Sequence, residues 1–307
     1  MTASAQQGGP VRLFDGHSLA GWRAIPRLPV PERPGAPEPD PATDTYRAAA
    51  RTSGCWTVQD GAIVGGQEAG HRGFGGYLIT EDEYDDFELT LDVKPDWPAD
   101  TGVLLRSTNR GAQGYQVLID HRRSGGIGGF YGNGLAGFHA LAYNVDVARD
   151  AAERPTALVI EDPGRSLEPV TAAKRDLLSY AAPPEAFLAA WRWSDWNELR
   201  VRCVGAQPVL TTWVNGVCLY ELDTATITWP GWDGARVTDL LGRSGHISLE
   251  VHDNDIEGMG DERWGPGAVV RWRNLTVRSL RTDRPGDRSG AVDRIEPDTD
   301  PSGPPAA

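Results

Sequence analysis

Short runs of β-branched and aromatic residues, each closed by Gly, Asn or Asp, recur along most of this 307-residue chain. Such runs are typical of an all-β domain, because a strand of about four to eight residues needs a turn-forming residue at each end. The predicted strands cover residues 55–58, 62–65, 76–80, 86–94, 101–107, 115–120, 197–204, 209–214, 217–222, 245–252 and 269–280. Asn215-Gly216 joins two of these strands, and this pair accepts the positive φ angles of a tight hairpin turn. The sequence thus predicts a β-sandwich, with one convincing helix over about residues 185–191.

Three segments do not fit the strand pattern. Residues 24–53 are rich in Pro, Ala and charged residues, which predicts a long loop. Residues 133–194 lack clean alternation and are predicted to form a long insertion, either as a wall or lid over a site or as a subunit contact. Residues 281–307 are acidic and rich in Pro and Gly, which predicts a disordered tail. The predicted organisation is one sandwich domain over residues 1–280 with two insertions, followed by the tail.

The charge and composition of the chain limit the partners it can have. Its 30 Lys and Arg against 43 Asp and Glu give a net charge of −13, which repels nucleic acids and anionic membranes. A neutral small molecule, or an acid-rich site that holds a cation, fits this charge. The 11 Trp residues can build the core or stack on the apolar face of a sugar ring. No apolar run reaches the ~20 residues of a membrane span, and the first residues do not resemble a secretory signal.

The three cysteines, Cys55, Cys203 and Cys218, are an odd number and lack metal-like spacing. Free thiols in a reducing compartment are the simplest interpretation, so a cytoplasmic location is expected.

A series of short motifs follows the predicted strands in order. They are Leu13-Phe14-Asp15-Gly16 with Gly21-Trp22, Trp56-x-Val58-x-Asp60-Gly61-x-Ile63-x-Gly65, Gly75-Gly76-Tyr77-Leu78-Ile79-Thr80 with Asp86-Phe87-Glu88-Leu89, Gly114-Tyr115-Gln116-Val117-Leu118-Ile119-Asp120, Gly129-Phe130-Tyr131-Gly132, Trp196-Asn197, and Gly245-His246-Ile247-Ser248-Leu249-Glu250-Val251-His252 with Arg273-Asn274-Leu275. This ordered series resembles the 3-keto-disaccharide hydrolase domain family. The resemblance implies a concanavalin-like jelly-roll sandwich that acts on sugars whose C3 hydroxyl has been oxidised to a ketone. The chain departs from the family pattern at Gln116, where the family usually has Glu, and at Glu250, where it often has Gln.

Strand alternation groups the polar residues of these motifs. Successive side chains of a strand point to opposite faces, so Ile247, Leu249 and Val251 are expected between the sheets and the polar residues around them on the other face. The same rule separates Tyr115, Val117 and Ile119 from their neighbours. The predicted cluster on the concave face consists of Arg106, Gln116, Asp120, Glu250 and His252, with Tyr131 on the loop above.

A 3-keto sugar requires such a cluster because the ketone acidifies the proton at C2. A base removes that proton, the C1 substituent leaves by β-elimination, and addition of water completes hydrolysis. His252 is the predicted base, and Asp120 orients it or is the base itself. Arg106 stabilises the enolate, Tyr131 or Glu250 protonates the leaving group, and Gln116 binds substrate.

Two metal-binding alternatives remain open at this stage. His246, Glu250 and His252 could hold a transition metal from one strand face, and such an ion would polarise the ketone. The acidic loop 253–262 offers oxygen ligands suited to Ca²⁺, although it lacks the length and closing Glu of an EF-hand. A divalent cation is therefore an open alternative, as is a solvated acidic loop.

Two functions compete with that of a cytoplasmic 3-keto-glycoside hydrolase or lyase acting on a small-molecule sugar or glycoside. One is a non-catalytic carbohydrate-binding sandwich, and the other is a hydratase of a 2-hydroxyglucal-type intermediate. No dinucleotide-binding motif is present, so the oxidation at C3 is assigned to a separate enzyme.

Overall fold

A computed structural model describes residues 9–254 and 260–281. In chain order its strands are β1 (Val11–Arg12), β2 (Trp22–Pro26), β3 (Cys55–Gln59), β4 (Ala62–Gly66), β5 (Gly76–Thr80), β6 (Phe87–Pro95), β7 (Thr101–Ser107), β8 (Gly114–Ile119), β9 (Ile127–Asn133), β10 (His139–Ala140), β11 (Val145–Arg149), β12 (Pro155–Ile160), β13 (Tyr180–Ala181), β14 (Asn197–Val204), β15 (Val209–Val214), β16 (Val217–Asp223), β17 (His246–Val251) and β18 (Val269–Ser279). The α-helices of the described part are α1 (Asp44–Ala49), α2 (Ala172–Arg175), α3 (Pro184–Ala190) and α4 (Gly234–Leu241).

The strands form two large antiparallel sheets and a small hairpin. The nine-stranded sheet has the order β13-β16-β15-β14-β6-β18-β4-β3, with β1 added beside β18, and the seven-stranded sheet has the order β10-β9-β8-β7-β17-β5-β2. β11 and β12 form the small two-stranded hairpin. The fold is an all-β jelly-roll sandwich, as the strand pattern and the family resemblance together predicted.

Alternation along the strands builds the core between the two sheets. Ile247, Leu249 and Val251 of β17 lie in one hydrophobic cluster with Val117 of β8 and Leu91 of β6. The predicted core face of β8 and β17 is therefore confirmed. The opposite face of the seven-stranded sheet, called here the outer face, carries the alternate side chains, and that face positions the candidate site.

The predicted strands all occur, with ends that shift by one or two residues, and the predicted helix is α3. The sequence did not predict β1, β2 or β9 to β13. β9 is the instructive case, because its sequence Ile-Gly-Gly-Phe-Tyr-Gly-Asn contains three glycines, which disfavour strands. Packing explains the glycine at 132, where an added Cβ would lie 2.3 Å from a ring carbon of Phe138.

The two segments predicted to lack regular strands contain both strands and helices. Residues 24–53 include the end of β2 and helix α1, and Val30 of this segment packs on the outer face of the seven-stranded sheet. Residues 133–194 include β10 to β13, α2 and α3. The long-loop prediction for 24–53 was thus incomplete, and it is this segment that lies against the outer face. Of the predicted tail 281–307, all but Arg281 lies outside the described residues.

No helix in the described ranges is long and apolar enough to cross a membrane. The three cysteines are not joined in disulfides, and Cys203 is buried.

Candidate active site

A row of side chains crosses the outer face of the seven-stranded sheet. Strand register places Ile79 beside Ser248, Ser248 beside Leu104, and Leu104 beside Gln116. Gln116 lies opposite Tyr131 on β9, whose ring meets the His139 ring at 5.9 Å. The outer face is therefore apolar near β5 and polar toward β8 and β9.

Glu250 lies one row further along and is fully buried. Its Oε2 accepts a 2.5 Å hydrogen bond from Gln116 Nε2, and its Oε1 accepts one of 3.2 Å from the Tyr77 hydroxyl. Gln116 reaches Glu250 across Gly102, where an added Cβ would lie 2.6 Å from the Gln116 amide nitrogen. The absence of a side chain at Gly102 thus permits the contact between Gln116 and Glu250.

Arg27, just after β2, is the cation of this group. Its Nε donates to Glu250 Oε1 at 3.0 Å, and a second guanidinium nitrogen donates to the Asp253 carboxylate. The third nitrogen lies 2.9 Å from His252 Nε2. One guanidinium therefore holds two carboxylates and an imidazole at once, a fork geometry that Arg provides and Lys does not.

The contact with Arg27 defines the tautomer of His252. A guanidinium can only donate, so Nε2 is the acceptor and Nδ1 carries the proton, which it donates to the Asp253 carbonyl at 2.8 Å. Burial and the Arg27 charge disfavour protonation, whereas Asp100 and Asp253 outweigh them and raise the pKa of His252 above its ordinary value. In this contact the imidazole is in its neutral form, and proton uptake at Nε2 breaks its bond with Arg27.

Asp100 connects His252 to a second buried charge group. Its Oδ2 lies 3.9 Å from His252 Nε2, 3.3 Å from Arg263 Nε and 3.9 Å from Arg122 Nε. Arg122 Nε also lies 2.9 Å from Asp120 Oδ2. Two neighbouring carboxyls therefore share one guanidinium at the end of the outer face.

The two carboxyls titrate at different pH. Burial opposes ionisation of Asp100, but His252, Arg263 and Arg122 lower its pKa. Burial and the adjacent Asp100 charge raise the pKa of Asp120 to about 7. Asp100 is thus the permanent anion of the pair, and Asp120 is the group that gains or loses a proton near neutral pH.

A cavity of ≈ 250 Å³ opens beside Arg27. Its polar lining is Arg27, Asp253, Tyr77, Asn133 and Thr45, and its apolar lining is Leu28, Pro29, Val30, Ala49, Phe74 and Ala112. Much of the apolar wall comes from the 24–53 segment. A mixed lining of this size suits a small polar ring with one apolar face.

The structure brings together four of the six residues predicted for the cluster. Gln116, Glu250 and His252 lie in one contact group with Arg27. Tyr131 was predicted on a loop, but it lies in β9, opposite Gln116 in the sheet register. Asp120 reaches this group only through Arg122 and Asp100.

Arg106 does not join the cluster, and the predicted shared face with Gln116 is wrong for this residue. Its guanidinium binds Asp86 at 2.9 Å and the carbonyl of Gly205 at 2.7 Å, in the turn between β14 and β15 of the other sheet. The cause is an irregularity in β7, where the register shifts against β17 and Arg106 has a φ of +49°. Ser107 takes the outer-face position instead, with its hydroxyl 2.6 Å from that of Ser248.

The sequence did not identify Arg27, Asp100, Arg122 or Arg263. Arg27 follows a strand that was itself not predicted, and its partner Glu250 is 223 positions away in the chain. Asp100 had a usable signal, because alternation before β7 assigns Asp100, Gly102 and Leu104 to the same face. Nothing in the sequence around Arg122 and Arg263 indicates that both approach Asp100.

The metal alternatives find no matching geometry in the described part of the chain, where no three His, Cys, Asp or Glu side chains converge around a common point. His246 lies near Glu83, at the opposite end of β17 from His252 and about 20 Å from it along the strand. Arg27 occupies the position between Glu250, Asp253 and His252. The acidic loop proposed for Ca²⁺ falls partly on residues 255–259, outside the described residues.

Comparison with solved structures gives distant similarities. The chain is similar to a candidate glycosyl hydrolase from Parabacteroides distasonis, with 13% identity over 89% of this chain and 94% of that one and a TM-score of 0.43. It is also similar to a carbohydrate-binding module from Bacillus subtilis, with 12% identity, 74% and 92% coverage and a TM-score of 0.41. A third is the β-glucanase of Bacillus licheniformis, with 8% identity, 90% and 100% coverage and a TM-score of 0.40.

A search of curated protein sequences finds no match to the chain. The family comparison, in contrast, finds a match along almost the whole sandwich. The sequence profile of the 3-keto-alpha-glucoside-1,2-lyase-like domain matches residues 9–278, from just before β1 to the end of β18. The chain belongs to the 3-keto-alpha-glucoside-1,2-lyase-like domain family.

Proposed function

We propose that this protein cleaves 3-keto-glycosides, as a lyase or as a hydrolase, on the outer face of its seven-stranded sheet. The observation that carries the proposal is the contact between Arg27 and His252 Nε2 beside the cavity. In this contact an imidazole nitrogen and a guanidinium lie 2.9 Å apart. The removal of a proton next to a ketone requires a base and a group that stabilises the enolate charge, and these two side chains suit those roles.

The reaction starts at the C2 proton of the sugar. His252 Nε2 takes this proton, and the electron pair of the C–H bond forms an enolate whose charge lies on the C3 oxygen. The enolate then expels the C1 substituent, which leaves an enone with a C1–C2 double bond. Water adds to C1 and a proton returns to C2 when the net reaction is hydrolysis.

Arg27 takes the role that the sequence had assigned to Arg106. The C3 oxygen of a substrate in the cavity becomes more negative as the enolate forms, and a guanidinium that turns toward it stabilises that charge. The same movement uncovers the lone pair of His252 Nε2. The donor and the base therefore become available in one step.

The remaining polar side chains have supporting roles in this scheme. Glu250 already accepts bonds from Arg27, Gln116 and Tyr77, so it holds Arg27 rather than giving a proton to the leaving group. Tyr131, on the neighbouring strand, is the proposed proton donor to the leaving group. Gln116 contributes to substrate binding through its position between Glu250 and Tyr131.

The test is turnover of 4-nitrophenyl 3-keto-glucoside, followed by release of nitrophenol and by the absorbance of the enone. Arg27→Lys keeps the charge but loses the fork, and we expect kcat to fall by about 10²–10³-fold, the effect of removing one donor to a developing oxyanion. Arg23→Met, on the exposed part of β2, is the matched control and should keep wild-type turnover.

Any of three results would contradict the proposal. The first is retention of wild-type kcat by Arg27→Lys. The second is binding of the 3-keto-glucoside without turnover, which would indicate a carbohydrate-binding domain instead. Consumption of a 2-hydroxyglucal with no cleavage of the glycoside would assign the protein to the hydratases.

A further inference from the structure

Asp100 is a buried carboxylate close to the candidate site but outside the lining of the cavity. It lies in the loop before β7, is 5% exposed, and faces three cationic or titratable side chains. The mechanism above leaves it without a role. Its distance of 3.9 Å from His252 Nε2 is the relevant observation, because that nitrogen is the atom that receives the proton.

We propose that Asp100 is a positioning residue that holds His252 after proton transfer, by accepting the new Nε2–H bond as Arg27 turns to the substrate. The inference rests on the proposed function. At rest, Nε2 accepts from Arg27; after the proton has moved from C2, Nε2 is a donor and repels the guanidinium. Asp100 is the nearest carboxylate able to accept from Nε2, so His252 exchanges one partner for the other.

The surroundings of Asp100 keep it ready for this exchange. Arg263 and Arg122 face its carboxylate, and both favour the charged form. Neighbouring Asp120 bonds the same Arg122 but resists ionisation because it is buried beside Asp100. A pair of carboxyls with separated pKa values assigns the fixed charge to Asp100 and the exchangeable proton to Asp120.

The charged groups around His252 come from four places in the chain. Arg27 follows β2, Asp100 precedes β7, Asp253 is adjacent to His252, and Arg263 lies beyond residue 260. Arg27 and Arg263 disfavour the imidazolium, and Asp100 and Asp253 favour it. Removal of the Asp100 charge therefore has one predicted direction, toward a less stable imidazolium.

The experiment compares Asp100→Asn with Glu168→Gln. Glu168 contacts the same two arginines, at 3.0 Å for Arg122 and 3.9 Å for Arg263, and the described structure gives it no ion pair with His252. NMR titration of the His252 imidazole and the pH profile of kcat/KM are measured for both variants. In Asp100→Asn we expect the His252 titration and the acid limb of the profile to move together to lower pH, with kcat lowered about tenfold or more. In Glu168→Gln neither should move.

Asp100→Glu keeps the charge and provides the second variant if Asp100→Asn does not fold. It should keep the acid limb at its wild-type position. An Asp100→Asn protein whose His252 titrates as in the wild type overturns the inference, as does an equal shift in Glu168→Gln. The imidazole titration needs no turnover, so a protein inactive on every 3-keto-glycoside would refute the proposed function and still give a separate result for the pairing of Asp100 with His252.

Discussion

A guanidinium bound to a neutral imidazole is an unusual resting contact, because each group then blocks what the other could do. Arg27 covers the lone pair of His252, and His252 occupies a donor of Arg27. The contact is useful for catalysis if a substrate oxygen draws Arg27 away from His252 and so makes both groups available. At the scale of single residues, the proposed chemistry therefore depends on one contact between two side chains 225 positions apart.

Arg106 gives a second prediction for a single residue, in which stability should change and kcat should not. Arg106→Met breaks a buried ion pair and leaves Asp86 without its buried partner, so we expect a loss of about 3–5 kcal/mol in the free energy of unfolding. The folded fraction should keep wild-type kcat, because Arg106 faces the other sheet. Denaturant unfolding and turnover of the folded protein provide the two measurements.

Arg243→Met is the control for that variant. Arg243 contacts the same Asp86 at 3.1 Å, but its side chain is 62% exposed, so its loss should cost no more than about 1 kcal/mol. A large fall in kcat for folded Arg106→Met would return this residue to the active site and contradict its assignment as structural.

Strand alternation predicted the correct face for some site residues and failed for others. Gln116, Glu250 and His252 follow regular strands, so counting in twos assigns them to one face. Arg106 follows the same count, but the shifted register in β7 turns it away. Arg27 is beyond any local rule, because its position depends on how a proline-rich segment folds back on the sheet.

At the scale of elements, the 24–53 segment is the part that completes the site. It supplies Arg27, and through Leu28, Pro29 and Val30 it forms an apolar wall of the cavity. The loop prediction followed from the composition of this segment, since proline disfavours both the hydrogen-bonded ladders of sheets and the interiors of helices. Its packing on Tyr77 and Leu104 could not be predicted, because a contact between a loop and strands far along the chain leaves no local pattern in the sequence.

Val30→Asn tests the wall. Asparagine replaces apolar contact with a polar amide without adding bulk, so we expect KM for an aryl 3-keto-glucoside to rise several-fold with kcat within about twofold. Val11→Asn is the control, because Val11 is 62% exposed and far from the cavity in the strand order. An unchanged KM for Val30→Asn would mean that the substrate does not contact this segment.

At the scale of the whole molecule, buried histidine limits stability in acid. His121 is 3% exposed beside the rings of Trp191 and Trp193, and burial lowers its pKa to about 4 from 6.5. The unfolded chain therefore binds a proton at His121 between about pH 6.5 and 4 that the folded chain does not. Since stability rises with pH where the unfolded state binds more protons, the free energy of unfolding should fall as the pH drops through this window.

The expected contribution of His121 is on the order of 3 kcal/mol, most of it lost by pH 4. His121→Phe keeps an aromatic ring between the two tryptophans and should flatten the dependence. Asp120 acts in the reverse sense, because its raised pKa favours the folded state at lower pH. Denaturant unfolding from pH 4 to 7 checks the slope, and an equal slope in the variant would remove His121 from the explanation.

The fold of the whole molecule could be predicted because it depends on repeated local patterns that agree with one another. The chemistry of the site depends on a few long-range contacts, and the decisive ones involve Arg27 and Asp100, which the strand pattern did not single out. The family match extends over the sandwich, whereas the details of the site follow from its own contacts.

The role of His252 as the base is tested most directly by exchange of the C2 proton, measured by NMR in deuterated buffer with 3-keto-1,5-anhydroglucitol. This compound has no leaving group at C1, so proton removal is observed without cleavage. The account predicts that the wild-type protein exchanges the proton at C2 and not the one at C4, and that His252→Ala lowers the exchange rate by about 10²–10⁴-fold while it remains folded. Exchange at the wild-type rate in His252→Ala, or no exchange above the buffer rate with the wild-type protein, would contradict it.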